Sequence, residues 1–203
     1  MRIQAVFFDM GGTIETYGYT RTLRLEATRE LQARLQFAGI ELPLDIEALY
    51  TVISDGLQRY KTASIANLEE LPPLQVWRDY VFAGYDLDPE KLGAIAENLA
   101  FFVETTFYQR EMRPEMPAVL AAIRGMGLKI GLISNVNSRG QVPVNLKKYG
   151  IDAYFDPIVL SSEYGRRKPD PAIFHYAAPL AIRSPTYRHA LVGTFAKIGR
   201  AHV

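Results

Sequence analysis

The chain has 203 residues, 48% of them hydrophobic, with 23 lysine and arginine side chains against 22 aspartate and glutamate. That length suits one domain, or one core with an insertion, and the even spread of apolar residues excludes disorder as the main state. No apolar run approaches the roughly 18 residues needed to cross a bilayer, the start lacks a signal peptide's apolar stretch, and the absence of cysteine excludes disulfides, thiolate catalysis and cysteine-ligated zinc.

In chain order, residues 3–8 form a short apolar run that stops at Asp9 and meets Gly11 and Gly12 at once, the pattern of a buried strand entering a tight loop. Between 20 and 37, Leu23, Ala27, Leu31 and Leu35 repeat at helical spacing, and Gly39 lies just past the end as a stop signal. Further helices are expected near 45–60, 73–82 and 89–107, with no strand-like alternation between them, so about 18–110 reads as an all-helical insertion. Prolines at 114 and 117 mark its end, and a helix over 118–125 leads to a second buried strand at 129–134. A polar loop, a helix near 142–149, a third strand at 158–161, a helix over 171–180 and a fourth strand at 190–193 complete the pattern. Strands alternating with helices imply parallel crossover units. The expected fold is therefore α/β, a doubly wound parallel sheet of Rossmann type spanning 1–17 and 111–203, with a small helical domain of 18–110 inserted. No internal repeat is present.

In such a sheet the strand C-termini gather on one edge, which is where ligands bind. Asp9 follows the first strand, Ser134 the second, and Lys168 lies a few residues past the third. A carboxylate there can attack phosphorus, a hydroxyl and backbone N–H groups can hold phosphoryl oxygens, and an ammonium can offset the charge of both. Together they describe phosphoryl transfer through an aspartyl-phosphate.

Three segments carry a resemblance. Residues 7–14, Phe-Phe-Asp-Met-Gly-Gly-Thr-Ile, look like the first motif of the haloacid dehalogenase (HAD) superfamily. Residues 131–135, Gly-Leu-Ile-Ser-Asn, resemble its second, and residues 165–174, Gly-Arg-Arg-Lys-Pro-Asp-Pro-Ala-Ile-Phe, its third. A helical insertion between the first two motifs is similar to that superfamily's small cap, which closes over the site and selects substrates. The resemblance implies Asp9 as nucleophile, Lys168 orienting it and stabilising the transition state, and Thr13, Ser134 and Asn135 holding the loop and the phosphoryl oxygens. It implies a magnesium ion bound by Asp9, by the Gly11 carbonyl and by acidic residues of a fourth motif.

Two departures qualify that expectation. Superfamily phosphatases place an aspartate that protonates the leaving group where this chain has Gly11, and Glu15 is the nearest acidic residue. The fourth motif normally brings two acids after the last strand, whereas residues 193–200 read Gly-Thr-Phe-Ala-Lys-Ile-Gly-Arg, so magnesium binding is expected to be weakened. The leading expectation is a HAD-type phosphatase on a small phosphorylated metabolite. The alternative is a catalytically impaired relative that binds a phosphorylated ligand or partner without turnover. A phospho-accepting receiver domain combines the same residue types, but the helical insertion argues against it.

Residues 14–116 hold 17 acidic and 10 basic side chains, and the remainder 5 acidic and 13 basic. The basic flanks suit a small anion, while the acidic middle would repel a nucleic-acid backbone, so neither nucleic acid nor membrane is expected as a partner. In the insertion Tyr17, Tyr19, Arg21, Trp77 and Arg110 could reach a substrate, but Trp77 reads more readily as core packing and the others as ordinary surface, so none is assigned as substrate-binding. The strand at 190–193 would be left as an uncovered sheet edge, through which self-association is expected. A cytoplasmic location completes the reading.

Overall fold

The computed structural model describes residues 3–182. The fourth strand expected at 190–193, the fourth-motif residues 193–200, His189 and His202 lie outside the described residues.

A three-stranded parallel sheet is ordered β1 (Ala5–Phe8), β4 (Lys129–Ser134), β5 (Ile158–Leu160). Side chains alternate across β4. Ile130 and Leu132 join Leu120 of α5 (Met116–Gly125) and Val142 and Leu146 of α6 (Gln141–Lys148) on one face. Ile133 turns to the other face, where Val159 of β5 and Ile173, Phe174 and Ala177 of α8 (Pro171–Ile182) pack. Period-two alternation thus gives one strand two apolar faces, which is why helices cover the sheet on both sides. The expected α/β layer is present.

The segment between β1 and α5 is mostly helical and has its own core. Thr20 caps α1 (Arg21–Phe37), its hydroxyl accepting the Leu23 N–H at 3.1 Å, and Asp45 caps α2 (Ile46–Asn67) through the Ala48 N–H at 2.8 Å. Apolar residues at spacings of three and four, Leu31 and Leu35 of α1, Leu49 and Ile53 of α2, and Leu92, Leu99 and Val103 of α4 (Pro89–Thr106), close around Trp77 and Phe82. Helix α3 (Pro73–Val76) runs into a π turn, Trp77–Val81, pressed against Gly56 of α2. A Cβ at Gly56 would stand 2.4 Å from the Val81 Cα, so only glycine allows this approach.

Two details differ from the sequence expectation. Helix α2 continues seven residues past Tyr60, because Ser64 is buried with its hydroxyl turned back onto the Lys61 carbonyl at 3.0 Å, and polarity there does not break the helix. The stretch 18–110 is not wholly helical. Gly18, Gln109 and Arg110 belong to an antiparallel ribbon in which β2 (Glu15–Gly18) pairs with β3 (Gln109–Met112), Tyr17 facing Arg110 in register. Four-residue strands with one or two apolar residues carry too little period-two signal to be read from sequence.

Candidate active site

In register, Phe8 of β1 lies opposite Leu132, and Ser134 lies opposite Leu160, so Asp9 and Ser134 emerge at the same C-terminal edge of the sheet. Asp9 enters a loop wound about one carbonyl: Met10 O accepts the N–H groups of Thr13 at 3.3 Å, Ile14 at 2.9 Å and Glu15 at 3.2 Å. Gly12 adopts φ 79°, a left-handed conformation that suits glycine, and this lets its N–H reach the Glu15 carbonyl at 2.7 Å. The loop's shape thus comes from backbone bonds, with Thr13 set near its turn.

Lys168 arrives from the segment between α7 (Ser161–Tyr164) and α8. Its Nζ lies 2.7 Å from Asp9 Oδ1 and donates to the Ile133 carbonyl at 2.5 Å. Asp9 Oδ1 also accepts the Met10 N–H at 2.7 Å. Burial pulls the Lys168 ammonium below the ordinary lysine range, Asp9 opposes that pull, and Arg167 adds to it. Its side chain is 10% exposed and that of Asp9 34%, so the carboxylate stands open while the cation behind it is enclosed.

Asn135 acts through its side chain, a contact with no signature in the sequence. Its Oδ1 accepts the Lys168 N–H at 2.8 Å and its Nδ2 donates to the Lys168 carbonyl at 2.9 Å, clamping the lysine's backbone to the loop after Ser134. Ser134 itself is buried at the strand end. The structure therefore brings Asp9, Ser134, Asn135 and Lys168 to one edge, with Gly11 and Thr13 in the loop that starts at Asp9.

The other candidates sort differently. Glu15, the acidic residue nearest Gly11, has no exposed side-chain surface. Its carboxylate takes Arg110 at 2.5 Å, Asn145 at 3.0 Å, the Tyr149 phenol at 2.8 Å and Gln141 at 3.4 Å. Saturated in this way, it does not take the place of a carboxylate at position 11. Arg110 is spent on Glu15 and on Glu104 at 2.9 Å, Arg21 pairs with Glu47 on the surface, and Trp77 is core. Tyr17 remains exposed, and a Cβ at Gly11 would meet its ring at an ordinary 3.5 Å, so the lack of a carboxylate there is a matter of sequence and not of space.

A second group beside the site is silent in the sequence. Glu70, in the loop between α2 and α3, has a fully enclosed carboxylate bonded to Arg167, Ser161, Asn137 and Tyr60. A lone Glu69-Glu70 pair ahead of two prolines looks like any solvated turn, and Arg167 like part of a basic run.

For a divalent cation the described residues offer the Asp9 carboxylate and the Gly11 carbonyl, hard oxygen donors of the right kind. No group of three His, Asp or Glu side chains able to hold a metal occurs among the described residues. They do not by themselves make up the six-oxygen shell that magnesium requires.

A sequence model of the haloacid dehalogenase-like hydrolases matches residues 3–180. Glyceraldehyde 3-phosphate phosphatase of Methanopyrus kandleri is 28% identical over 176 residues, covering 87% of this chain and 69% of that one. Pyrimidine 5′-nucleotidase YjjG of Escherichia coli is 40% identical over 84 residues, 41% of this chain and 36% of its own. Among solved structures, a HAD family enzyme of Bacteroides thetaiotaomicron in complex with magnesium and inorganic phosphate aligns with a TM-score of 0.40 at 16% identity, over 86% of this chain and 77% of that one.

Proposed function

Because the chain belongs to the haloacid dehalogenase-like hydrolases, we propose that it is a phosphatase acting on a small phosphorylated metabolite through an aspartyl-phosphate on Asp9. The observation that carries this reading is the 2.7 Å pair of Lys168 Nζ with Asp9 Oδ1 at the sheet edge that also presents Ser134. Its Methanopyrus relative bears the name of a phosphatase of a small sugar phosphate, which supports the substrate class.

In the proposed reaction an Asp9 carboxylate oxygen forms the bond to phosphorus as the ester P–O bond breaks, and the leaving oxygen departs with the electron pair and takes a proton from water. Water then attacks the acyl-phosphate, releasing phosphate and restoring Asp9. Lys168 offsets the charge that gathers on the phosphoryl oxygens, and because it is enclosed its field is less screened than that of a surface lysine. Ser134, Thr13 and the Asn135 N–H are the groups we assign to those oxygens. Magnesium, when bound, would add charge neutralisation, held by the Asp9 carboxylate and the Gly11 carbonyl. The helices over 21–106, joined to the core by the β2–β3 ribbon, are proposed to be the cap that encloses the substrate.

No helix among the described residues is long and apolar enough to cross a membrane. We propose a cytoplasmic setting and small-molecule partners, without nucleic acid.

Gly11 favours a second reading, binding without turnover, since it supplies no acid for the leaving group. The two readings separate in one experiment: a panel of phosphate esters, including glyceraldehyde 3-phosphate and pyrimidine nucleoside monophosphates, assayed with magnesium. Turnover that Asp9→Asn abolishes while the fold survives establishes the phosphatase. Phosphate binding with no turnover of any ester establishes the second reading.

A further inference from the structure

The loop of residues 68–71 runs beside the segment that leads into Lys168. Glu70 N donates to the Gly165 carbonyl at 3.0 Å, Arg167 N donates to the Leu68 carbonyl at 3.0 Å, and Glu69 bridges Arg166 between them. Asn137 Nδ2 closes the other side on the Leu71 carbonyl at 3.0 Å. A short strap from the helical insertion is thus laid along both the Lys168 segment and the loop after Ser134.

At its centre the Glu70 carboxylate has no exposed surface. Oε2 accepts from the Arg167 guanidinium and from Ser161 Oγ at 2.6 Å, and Oε1 accepts from the Tyr60 phenol and from Asn137 Nδ2 at 3.3 Å. Ser161 Oγ in turn accepts the Val136 N–H at 2.9 Å. One side chain therefore ties α2, the loop after β4, the start of α7 and the residue before Lys168. Burying an ion pair is a poor route to stability, since apolar residues of the same volume commonly do as well or better; its attested use is to specify one arrangement over others.

Here the alternatives are chemically definite. Arg167 and Lys168 are adjacent cations, and each has its own carboxylate, Glu70 for Arg167 and Asp9 for Lys168. We propose that Glu70 is a positioning residue: by engaging Arg167 it leaves Asp9 to Lys168, so that seating the helical insertion sorts the two cations and completes the nucleophile's surroundings. This rests on the phosphatase reading only for its effect on turnover. The sorting itself is a property of the geometry.

The full chain carrying Glu70→Gln keeps the shape and one of the two acceptor oxygens but frees the Arg167 charge. With p-nitrophenyl phosphate as probe, kcat is expected to fall at least tenfold with KM changed less than threefold. Glu70→Gln combined with Arg167→Gln removes the stray cation and is expected to recover at least fivefold over the single variant. Unchanged kcat in Glu70→Gln, or a loss that the double variant does not recover, overturns the proposal, because a merely structural role predicts further loss from the second change. Should the wild type hydrolyse nothing, the phosphatase reading fails, and the sorting is still tested by a crystal structure of Glu70→Gln. An Asp9 carboxylate bonded to Arg167 in place of Lys168 supports it, and a Lys168 Nζ–Asp9 Oδ1 distance still near 2.7 Å overturns it.

Discussion

Two of the junctions between the helical insertion and the core are each built around a buried carboxylate, and the two differ in what surrounds that carboxylate. At the covalent junction, where the β2–β3 ribbon joins the halves, Glu15 is held by Arg110, the Tyr149 phenol and the amides of Asn145 and Gln141. At the non-covalent junction Glu70 is held by Arg167, the Tyr60 phenol, Ser161 and Asn137. Both sites combine one guanidinium, one tyrosine and two further donors. In both, burial and the adjacent carboxylate push the phenol's pKa up, so each tyrosine stays a donor throughout the physiological range. The partners of Glu15 come from the ribbon and from α6 and its C-cap, whereas those of Glu70 outside α2 lie beside Lys168, at the start of α7 and in the loop after Ser134. The same set of groups holds the ribbon against the core in one place and the 68–71 loop against the Lys168 segment in the other.

The largest expected effect lies at the ribbon. Arg110→Met removes the cation from Glu15, whose side chain is wholly enclosed, and also from Glu104. Stranding a buried charge typically costs about 3–5 kcal/mol. Urea denaturation should show a loss of that order, and a loss below about 1 kcal/mol would mean that the tyrosine and amides alone satisfy Glu15, so that the ribbon needs no ion pair.

A smaller effect sharpens the contrast directly, because both junctions contain the same residue. Tyr149→Phe and Tyr60→Phe each delete one hydroxyl bonded to a carboxylate, a change worth about 1.5–3 kcal/mol for a charged partner. Tyr60 has an additional duty, since its hydroxyl also accepts the Leu71 N–H at 3.0 Å. Tyr60→Phe should therefore lose somewhat more stability in denaturant than Tyr149→Phe, while kcat, measured well below either melting temperature, falls only in Tyr60→Phe. Equal kcat losses would make the two carboxylates equivalent and remove the distinction.

Why the core is legible in the sequence and the two junctions are not follows from the kind of signal each leaves. The parallel core, its strand ends and the Asp9 and Ser134 positions come from apolar runs that stop at a polar residue, a local pattern that a single sequence displays, and Lys168 lies a few residues past the third such run. The helices of the insertion are visible for the same reason, through three- and four-residue spacing. The ribbon is not, because strands of four residues such as Gln-Arg-Glu-Met draw their pairing from each other across 90 residues of chain. Glu15 has the sequence surroundings of a loop carboxylate and yet is enclosed, because its burial depends on α6, more than 120 residues away. Glu70 leaves no local trace at all: its neighbours in sequence are Glu69 and Leu71, and its partners at 137, 161 and 167 come together only once the sheet has formed.

The smallest effect lies on the outer rim of the Lys168 junction, where Arg166 is the exposed counterpart of Arg167. Arg166 bridges Glu69 at 3.0 Å and Asp170 at 2.7 Å, and Asp170 also accepts the Ala172 N–H at 2.8 Å at the start of α8. That backbone N–H first, and Arg166 second, hold the Asp170 carboxyl below its ordinary 3.8. A carboxyl whose folded pKa is depressed stabilises the fold above its unfolded value, and that contribution is lost as pH falls through the folded one. Asp170→Asn retains an oxygen for the Ala172 N–H and gives up the charge together with the oxygen that accepts from Arg166, so at pH 7 it should be slightly less stable than the wild type. The gap should narrow as pH drops below 3.8 and close where both side chains are neutral. Urea midpoints of the two proteins at pH 7 and across the acid range measure this. A gap that stays constant with pH would assign the effect to packing, and would mean that the exposed rim contributes no charge pairing to a junction whose ionic work is done inside, by Glu70.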